Sequence, residues 1–320
     1  MYYFAAKINF HLQSLMKALL ITINGWGYFY KNIPNEAVIM SISDGIGNQL
    51  FKHAFGLSIS NKLSKKYFID TSSFQGDTKY KRSYKLDKIG INTEQICTLN
   101  YSNIREYFAF FHYLRMINKL IPFSMRIYIN ENDTTKKQVD KIFENLNNRK
   151  LRTAVYFDGY WQNINYISSS HKIIQAQVLE AWKLSDRANQ WLEKIQQKES
   201  VSVHIRQIQF SQNLQPSYYV KAYNLIKTII PDARFYIFAD DWQWVEENLS
   251  FLSPVELVQG NNDIDDFYLL LYSRNTIIAN STFSWWAAYL KPYEDSKIIA
   301  PALFGKTLGI PNKWIEVRDF

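Results

Sequence analysis

The second half of the chain alternates short apolar runs with longer stretches of helical spacing, and this alternation restricts the fold more than any other feature. The first run, Val201–Phe210, begins as a buried strand, because apolar and polar residues alternate along it, and it ends in polar side chains. Repeated βα units of this kind predict a parallel, doubly wound α/β sheet. Later predicted strands cover Arg234–Ala239, Val255–Val258, Thr276–Ala279 and Lys297–Ala300, and predicted helices cover Tyr218–Ile230, Trp242–Leu249, Asp263–Ser273 and Phe283–Leu290.

Polar side chains follow three of these strands, and a parallel sheet brings the ends of its strands to one edge. An arginine fork suits phosphate there, a carboxylate suits the N–H donors of guanine or the hydroxyls of ribose, and a helix N-terminus suits a diphosphate. Taken singly, Asp240 and Ser281 also suit the ordinary role of helix caps. Taken together, the strand ends predict a nucleotide-sugar site. Its candidate residues are His204, Arg206, Asp240, Asp241, Ser281, Thr282 and Ser284.

The first half contains a pattern of strand, glycine turn and helix. Ala37–Ser43 predicts a short strand, the turn runs from Asp44 to Gln49 (DGIGNQ), and apolar residues then recur at helical spacing up to Ile59. Glycines let the backbone approach a ligand, and a helix N-terminus presents free N–H groups. Because a third glycine is missing, two interpretations stay open: a ligand-binding turn, as in an NAD-binding enzyme with Asp70 on the ribose, or a tight βα turn that binds nothing.

The stretch Val155–Gln162 predicts a strand followed by Gly159 and two aromatic residues, Tyr160 and Trp161. Aromatic rings pack on the apolar face of a sugar and equally suit a hydrophobic core, so both roles stay open. Elsewhere in this region we expect a helix in the aromatic stretch Tyr101–Met125, a helix or loop in the polar stretch Asn130–Asn148, helices within Ile173–Leu184 and Ser185–Ser200, and a domain junction at Gln196–Ser200.

The length of 320 residues allows two domains, and a composition that is 47% apolar and 16% aromatic provides for a substantial core. A single cysteine, Cys97, excludes an intramolecular disulfide framework and a cysteine-rich zinc site, and it fits a reducing cytosol. The five histidines show no metal-ligand spacing, so we expect no metal. No apolar run reaches the roughly 20 residues that span a bilayer.

The net charge of +8 is spread unevenly: residues 1–200 carry 27 Lys and Arg against 16 Asp and Glu (+11), and residues 201–320 carry 10 against 13 (−3). A basic half suits an anionic membrane or a phosphorylated lipid, as well as ordinary solvated lysines, and we expect no nucleic-acid partner because no signature accompanies it. The apolar stretch Met1–Tyr30 lacks the features of a secretory signal. It is either an amphipathic segment on a membrane or an extension packed on the domain. We therefore expect a cytoplasmic protein, with peripheral contact to the inner membrane face as an open alternative.

Four motifs of this chain resemble those of the α-1,2-fucosyltransferases of glycosyltransferase family 11, over a span from Ile39 to about Pro301. The last motif is long enough to make the resemblance specific. The motifs are Gly45–Phe51 (GIGNQLF, for the family's GLGNQ(M/L)F), Gly159–Gln162 (GYWQ), His204–Arg206 (HIR, for the start of HxRRGDY) and Asn280–Trp286 (NSTFSWW), preceded by the family-like Asp265-Asp266-Phe267.

The resemblance implies a GT-B architecture, in which two Rossmann-like domains enclose the active site in the cleft between them. We accordingly expect an N-terminal extension (1–36), an acceptor-side α/β domain (37–199) and a C-terminal GDP-sugar-binding domain (200–320). The resemblance further implies a GDP-fucose donor, inverting α-1,2 transfer to a galactose-type hydroxyl, and an oligosaccharide or lipid-linked bacterial surface glycan as acceptor. It implies no cofactor and no required metal.

The same resemblance assigns roles by position. Arg206 is expected to hold the β-phosphate and promote the loss of GDP, because without a metal a cationic side chain must neutralise the departing diphosphate. His204, with Asp240 or Asp241, is expected to contact the guanosine. The remaining donor residues are expected to be Gln207, Ser281, Thr282 and Ser284 at the diphosphate and Gly45, Gly47, Asn48 and Gln49 across the cleft, and the acceptor residues are expected to be Tyr160, Trp161 and Gln162.

The chain departs from the family where HxRRGDY is replaced by HIRQIQF. Gln207 stands for the second arginine and Gln209 for the acid. A glutamine still donates a hydrogen bond to phosphate but brings no charge, and a lost charge contact to a transition state slows a reaction by roughly 10²–10³. The departure favours either a changed donor, such as another GDP-6-deoxyhexose, or a degenerate member that binds nucleotide or glycan without turnover.

Inverting transfer is helped by a base near the acceptor hydroxyl. Asp44, which stands where the family usually has a glycine, and Asp158 both lie beside matched motifs, so each is a candidate for the catalytic base. Turn or capping roles remain the alternative for both.

Overall fold

A computed structural model of the chain describes residues 36–76, 80–96, 116, 120, 126, 128–133, 154–208 and 213–318. The chain divides into two compact units. What we call the first unit comprises Met1–Gly45, Lys52–Tyr84 and Asn92–Trp161, and the second unit comprises Ile46–Phe51, Lys85–Ile91 and Gln162–Phe320.

The first unit is built on a five-stranded sheet with the order β3-β2-β1-β5-β4, in which all pairs are parallel. Its strands are β1 (Ala37–Ser41), β2 (Lys66–Asp70), β3 (Gln95–Ile96), β4 (Tyr128–Asn130) and β5 (Val155–Asp158). β1 is buried along its whole length, as its continuous apolar sequence requires. The strand order reverses between β1 and β5, and in such sheets ligands bind beyond the carboxyl ends of the strands at this reversal.

One long helix, α1 (Ile46–Leu63), follows β1, as the sequence predicts. Ser64 ends it in a left-handed conformation (φ 53°), with its N–H bonded back to the last turn. The helix begins in the second unit and continues in the first from Lys52. Its fully buried apolar side chains include Leu50, Phe51, Ala54, Phe55 and Ile59.

The second unit contains a six-stranded parallel sheet with the order β11-β10-β9-β6-β7-β8. Numbered along the chain from β6 and read from the β8 edge, the order is 3-2-1-4-5-6, that of a Rossmann sheet. The order reverses between β6 and β9. The strands are β6 (Ser200–Ile205), β7 (Arg234–Ala239), β8 (Val255–Leu257), β9 (Asn275–Ile277), β10 (Ile298–Pro301) and β11 (Ile315–Val317).

Helices flank this second sheet, and the apolar side chains of β6 pack against one of them, α5, in the core of the unit. The core residues from these two elements are Val201, Val203 and Ile205 of β6 and Tyr218, Tyr219, Ala222 and Ile226 of α5. The helices are α2 (Ile164–Ile167), α3 (His171–Glu180), α4 (Asp186–Ile195), α5 (Pro216–Ile229), α6 (Trp242–Asn248), α7 (Asp263–Tyr272), α8 (Thr282–Tyr289) and α9 (Ala302–Thr307).

The long continuous segment of the second unit starts at Gln162 and includes α2, α3 and α4. Tyr268 of α7 donates its hydroxyl to Val178 O of α3 at 3.2 Å. Asp265 of α7 accepts from the N–H and the hydroxyl of Ser185, which caps α4, at 3.1 and 2.8 Å. These bonds join segments that are distant in sequence, so no local pattern reveals them.

The two parallel α/β units confirm the predicted fold class of two Rossmann-like domains. β7 has the predicted bounds, and the other predicted strands and helices of the second half lie within two residues of their predicted positions. The sequence analysis predicts no strand at β3, β4 or β11, which have two or three residues each. The equally short β8 and β9 are predicted because they lie within the repeated βα pattern of the second half. Expectations for Met1–Tyr30 and Cys97, and nearly all of those for Tyr101–Met125 and Asn130–Asn148, fall outside the described residues. Within the described ranges, no helix has the length and apolar character needed to cross a membrane.

Candidate functional site

The predicted nucleotide-sugar residues of the second unit lie at the ends of β6 and β7 and around the start of α8, which follows β9. β6 and β9 are the hydrogen-bonded strands between which the sheet order reverses. Arg206 comes directly after β6, and Asn280 and Ser281 precede α8 after β9. The structure therefore brings these two motifs to neighbouring strand ends, where a Rossmann sheet binds its ligand.

His204 lies near the end of β6 and is 8% exposed. Its ring centroid lies 5.6 Å from that of Phe283, and its buried Nδ1 has no hydrogen-bond partner in the described part of the chain. Burial, and secondly the charge of Arg206, lowers the pKa of His204 to about 3, so the imidazole is neutral at neutral pH. A neutral ring with an unsatisfied nitrogen suits a hydrogen bond to a polar ligand group.

Arg206 and Asp240 form a partly buried ion pair, with Nη1 3.0 Å from Oδ2. The same carboxylate accepts from the backbone N–H groups of Gln207 at 2.8 Å and Ile208 at 3.1 Å. Asp240, just beyond β7, therefore fixes both the turn after β6 and the direction of the guanidinium. Because a guanidinium carries five N–H donors, this contact is compatible with a phosphate bound to the rest of the fork.

Two other predicted donor residues have local hydrogen bonds. Gln207 is buried; its Nε2 donates to Leu214 O at 3.1 Å, and its carbonyl accepts from Asn213 Nδ2 at 2.8 Å. The side-chain amide is thus engaged within its own loop. Asp241 caps α6 by accepting from Trp244 N at 3.0 Å, and Gln209 lies outside the described residues.

The hydroxyls around the start of α8 differ in what they contact. Ser281 caps the helix by accepting from Phe283 N at 3.3 Å. Ser284 is fully buried and donates to Ser281 O at 3.3 Å, so its hydroxyl stabilises the turn. Thr282 Oγ1 donates to Asn48 Oδ1 at 3.0 Å.

The first turn of α1 packs directly on this turn. A Cβ added at Gly47 would lie 2.4 Å from Thr282 C and 2.6 Å from Phe283 N, so the approach requires a glycine. Asn48 Oδ1 accepts from both Thr282 Oγ1 and, at 2.8 Å, Gln162 Nε2. Residues from three of the four motifs therefore meet in the second unit.

Two other residues of the glycine turn, Gln49 and Gly45, have structural roles. Gln49 is fully buried, and its Oε1 accepts from Lys85 N at 2.9 Å. Gly45 is the N-cap residue of α1 and has an ordinary extended backbone, with φ −76°.

A second group of candidate residues lies in the first unit, beyond β1 and β5, where that sheet reverses its order. Lys52 is at its centre, with a side chain only 4% exposed. Its Nζ donates to Ser43 Oγ and lies 3.3 Å from Asp44 Oδ2, and Ser43 Oγ donates to the same Oδ2 at 2.7 Å. The ammonium also lies 4.8 Å from the centre of the Tyr160 ring, which is 47% exposed.

Three carboxylates surround this ammonium. Burial lowers the pKa of Lys52, and the charges of Asp44, Asp158 and Glu131 act in the opposite direction. Burial and the same three charges raise the pKa of Tyr160, so its phenol is neutral at neutral pH. Glu131 Oε2 also accepts from Tyr160 N at 2.6 Å, which fixes the backbone under the ring.

The two base candidates have different surroundings. Asp158 Oδ2 accepts from Tyr128 OH at 2.6 Å and from Asn130 Nδ2 at 2.9 Å, both on β4. Asp44 has a side chain that is 40% exposed and a left-handed backbone, with φ 69°.

The three predicted acceptor residues have different surroundings in the structure. Trp161 is fully buried and stacks on Phe55, with ring centroids 4.2 Å apart, so of the two roles left open it has the core role. Tyr160 is exposed in the first unit, and the amide of Gln162 is bonded to Asn48 in the second.

One carboxyl group that the sequence left without a role is electrostatically unusual. Burial raises the pKa of Asp266 to about 6; a hydrogen bond from Asn261 Nδ2 at 3.1 Å opposes this, and the charges of Asp265 and Asp263 add to it. Phe267, the next residue, packs against α8. A perturbed pKa next to a residue that packs on α8 marks Asp266 as a candidate site residue, and the acidic pair before Phe267 is the sequence signal for it.

Across the described ranges, no three His, Cys, Asp or Glu side chains are arranged to hold a metal ion.

Comparison with known proteins identifies the chain's family. The sequence model of the family named glycosyl transferase family 11 matches residues 37–307. This span covers most of the chain and contains all four motifs. The chain belongs to glycosyl transferase family 11. The predicted membership is thereby confirmed, and with it the coarser prediction of a glycosyltransferase.

Two curated proteins and a crystal structure are similar to this family-11 chain. It is 26% identical to an α-1,2-colitosyltransferase of Escherichia coli over 300 residues, 88% of this chain and 99% of that protein. It is also 26% identical to the E. coli O-antigen biosynthesis glycosyltransferase WbnK over 290 residues, 81% of this chain and 92% of that protein. The crystal structure of the Bradyrhizobium α-1,6-fucosyltransferase NodZ soaked with GDP-fucose matches with a TM-score of 0.45 at 13% identity, over 81% of this chain and 94% of that one.

Proposed function

We propose that this protein transfers L-fucose, or a related deoxyhexose such as colitose, from its GDP-sugar to a galactose-type hydroxyl of a bacterial surface glycan. The transfer is inverting and forms an α-1,2 linkage. The observation that carries the proposal is the pair of strand ends at the reversal of the second sheet. There the guanidinium of Arg206 and the N-terminus of α8 supply positive charge for a diphosphate. The similarity to an α-1,2-colitosyltransferase supports the sugar class.

In the proposed reaction the acceptor oxygen forms a bond to the anomeric carbon, while the bond from that carbon to the β-phosphate oxygen breaks. The electron pair of that bond leaves with GDP. Arg206 stabilises the negative charge that develops on the diphosphate, and Asp240 holds Arg206 in direction through the 3.0 Å ion pair. The uncharged imidazole of His204 suits the nucleoside better than the diphosphate, because it offers a hydrogen bond without charge. We include no cofactor and no required metal in the proposal.

Transfer assays with the purified protein test this function. We expect lactose or a lipid-linked glycan to receive a deoxyhexose from GDP-fucose or GDP-colitose, with GDP-mannose as the matched non-deoxy donor. Mass spectrometry identifies the product, and NMR assigns its linkage. Arg206→Lys retains one charge but loses the planar fork, and we expect it to lower kcat by roughly 10²–10³. Absence of transfer from every GDP-deoxysugar, while calorimetry still detects GDP binding, would defeat the catalytic proposal.

A second candidate function is favoured by Gln207. Its amide donates to Leu214 O and brings no charge to the site, which suits a degenerate member that binds nucleotide or glycan without turnover. The double substitution Gln207→Arg with Gln209→Asp discriminates between the two candidates. A large gain in transfer supports degeneracy, whereas loss of an existing activity indicates that the glutamines are adapted to this chain's own donor.

We further propose a cytoplasmic location, with peripheral contact to the inner membrane face through the basic first half. The single cysteine and the surplus of Lys and Arg in residues 1–200 support it. Cell fractionation with a high-salt wash tests it: salt is expected to release the protein, since surface charge attraction is screened. Recovery only with detergent would contradict an electrostatic peripheral contact.

A further inference from the structure

We propose that Asp44 is the base that takes the proton from the acceptor hydroxyl, that Tyr160 forms the adjoining wall of the acceptor subsite, and that Lys52 positions both. The inference rests on the proposed function, which it deepens, and it concerns residues of the first unit alone.

The position in the sheet is the first argument. Asp44 follows β1 and Tyr160 follows β5, and these two strands flank the point where the first sheet reverses its order. In open parallel sheets, ligands bind beyond the carboxyl ends of the strands at this point. The first unit therefore has its own expected ligand position, and Asp44 and Tyr160 lie at it. The side chain of Asp44 is 40% exposed, and the whole residue Tyr160 is 47% exposed.

The backbone of Asp44 is the second argument. Its φ of 69° is a left-handed conformation, which glycine adopts without strain and other residues adopt at some cost in free energy. The chain nevertheless carries a carboxylate here. Ser43 Oγ donates to that carboxylate at 2.7 Å, and Lys52 Nζ lies 3.3 Å from it, so two donors fix its direction. The carboxylate is thus held in one direction before a substrate binds, as a catalytic group requires.

Lys52 supplies the third argument, because an almost fully buried ammonium is costly unless it is paired and hydrogen-bonded. It contacts Ser43, Asp44 and the ring of Tyr160, and it thereby links the carboxylate to the aromatic surface. The other charges around this group are the carboxylates Asp158 and Glu131 and the guanidinium of Arg82, which lies near Gly45. Asp158 and Glu131 act on Lys52 electrostatically, and Arg82 Nη1 would lie 3.8 Å from a Cβ on Gly45.

The choice of Asp44 over Asp158 follows from which elements their hydrogen-bond donors belong to. Asp158 Oδ2 accepts from Tyr128 OH and Asn130 Nδ2, which join β5 to β4, so this carboxylate holds the sheet together. The donors to Asp44 Oδ2 are Ser43 Oγ and Lys52 Nζ, which belong to the proposed group itself and join no strands. In the proposed step, the hydroxyl proton of the acceptor moves to an Asp44 carboxylate oxygen as the acceptor oxygen bonds to the anomeric carbon. The electron pair of the broken bond leaves with GDP, so the step is balanced.

Substitutions at Asp44 test the base. Asn and Gly both accept a left-handed backbone, so Asp44→Asn and Asp44→Gly add no strain to the turn. Because both variants remove the ionic partner of the buried Lys52, calorimetry verifies that each one is folded before kcat is measured. We expect both to lower kcat by about 10²–10⁴, while the affinity for GDP changes by less than about twofold. Glu36→Gln is the matched control: Glu36 also has a left-handed backbone (φ 62°) and pairs with a lysine, Lys65, but it precedes β1, at the opposite end of the strand. It is expected to leave kcat unchanged.

Lys52 and Tyr160 are tested by readouts that a purely structural role would not move. Lys52→Met is expected to lower kcat by about tenfold while the affinity for GDP changes by less than about twofold, because Asp44 loses one of the two donors that fix its direction. Lys52→Arg keeps the charge and the donors, and it is expected to recover most of the wild-type kcat. Tyr160→Ala is expected to raise the acceptor KM about tenfold with little change in donor KM, and Tyr160→Phe to retain the wild-type value, since the ring face makes the contact.

The outcomes separate this inference from the proposed function. If the wild type transfers sugar and Asp44→Asn keeps its kcat within about twofold, the inference is overturned and the proposed function stands. A larger loss in Asp158→Asn than in Asp44→Asn also overturns it. If the wild type itself transfers nothing from any GDP-deoxysugar, the proposed function fails and the inference fails with it.

Discussion

Gly47 lets the first turn of α1 touch the N-terminus of α8, and Gly47→Ala is expected to force the two backbones apart. The added Cβ would lie 2.4 Å from Thr282 C and 2.6 Å from both Thr282 O and Phe283 N, whereas ordinary contacts begin at 3.4 Å. The distances from the added Cβ to these atoms are thus about 1 Å too short. All three atoms belong to the backbone, so no side chain can turn away to relieve the clash.

The magnitude follows from what must give way. Overpacking costs about 1–3 kcal/mol, and loss of the hydrogen bond from Thr282 to Asn48 costs about 1 kcal/mol more. Loosening the Ser281 cap costs about 1 kcal/mol, and the better helix propensity of alanine offsets about 1 kcal/mol. We therefore expect the free energy of unfolding of the second unit to fall by about 2–4 kcal/mol, which lowers its melting temperature by about 5–15 °C in calorimetry.

Gly45→Ala is the matched control in the same turn. At Gly45 the nearest atom to an added Cβ is Arg82 Nη1 at 3.8 Å, an ordinary contact, and φ of −76° suits any residue. We expect this variant to lose less than about 1 kcal/mol. The same melting temperature for the two variants, or a wild-type value for Gly47→Ala, would refute the reasoning from close backbone approach.

Three further predictions concern the second unit. Because the folded protein retains the proton of Asp266 up to about pH 6, while the unfolded chain releases it near its ordinary pKa of 3.8, stability falls as pH rises through this window. Asp266→Asn should therefore stabilise the protein by about 1–3 kcal/mol at about pH 8 and by less at about pH 4 in urea unfolding, and an equal gain at both values would contradict the assigned ionisation. Lys291→Met should lower the free energy of unfolding by about 2–4 kcal/mol, because the buried ammonium donates to carbonyl oxygens at the end of α7. Lys297→Met, at an exposed lysine, should lower it by less than about 0.5 kcal/mol. Similar losses in the two variants would contradict the capping role of Lys291. Asp240→Ala should lower kcat by about 10–10² with a smaller effect on GDP affinity, because Arg206 loses its orienting partner, and an unchanged kcat would show that the ion pair has no positioning role.

The sequence predicted the second unit better than the first for a physical reason. Its βα units are regular, with strands of alternating or continuous apolar residues and helices that start at recognisable caps, such as Asn262 and Ser281. In the first unit, β3 and β4 are short strands that stand outside such a regular βα pattern, so their conformation depends on their neighbours in the sheet.

The site residues show the same division. The motifs located Arg206 and the turn before α8, because a local string of letters is enough to recognise them. The motifs did not reveal that Gln207 donates to Leu214 O or that Trp161 is a core residue, since both depend on what surrounds the side chain. Lys52 was missed altogether, because a lone lysine on a helix is usually a solvated residue.

The sequence by itself determined which segments are strands and helices in the second unit, which family the chain belongs to, and which residue types are available for binding a nucleotide sugar. Those properties are local, because they depend on spacing along the chain. Only the tertiary structure decided the partners: Asp240 with Arg206, Asn48 with a threonine 234 residues away, and Lys52 with Tyr160. The physical reason is that parallel sheets pair strands from distant parts of the chain, so the order of the strands, which no local pattern encodes, decides which side chains meet.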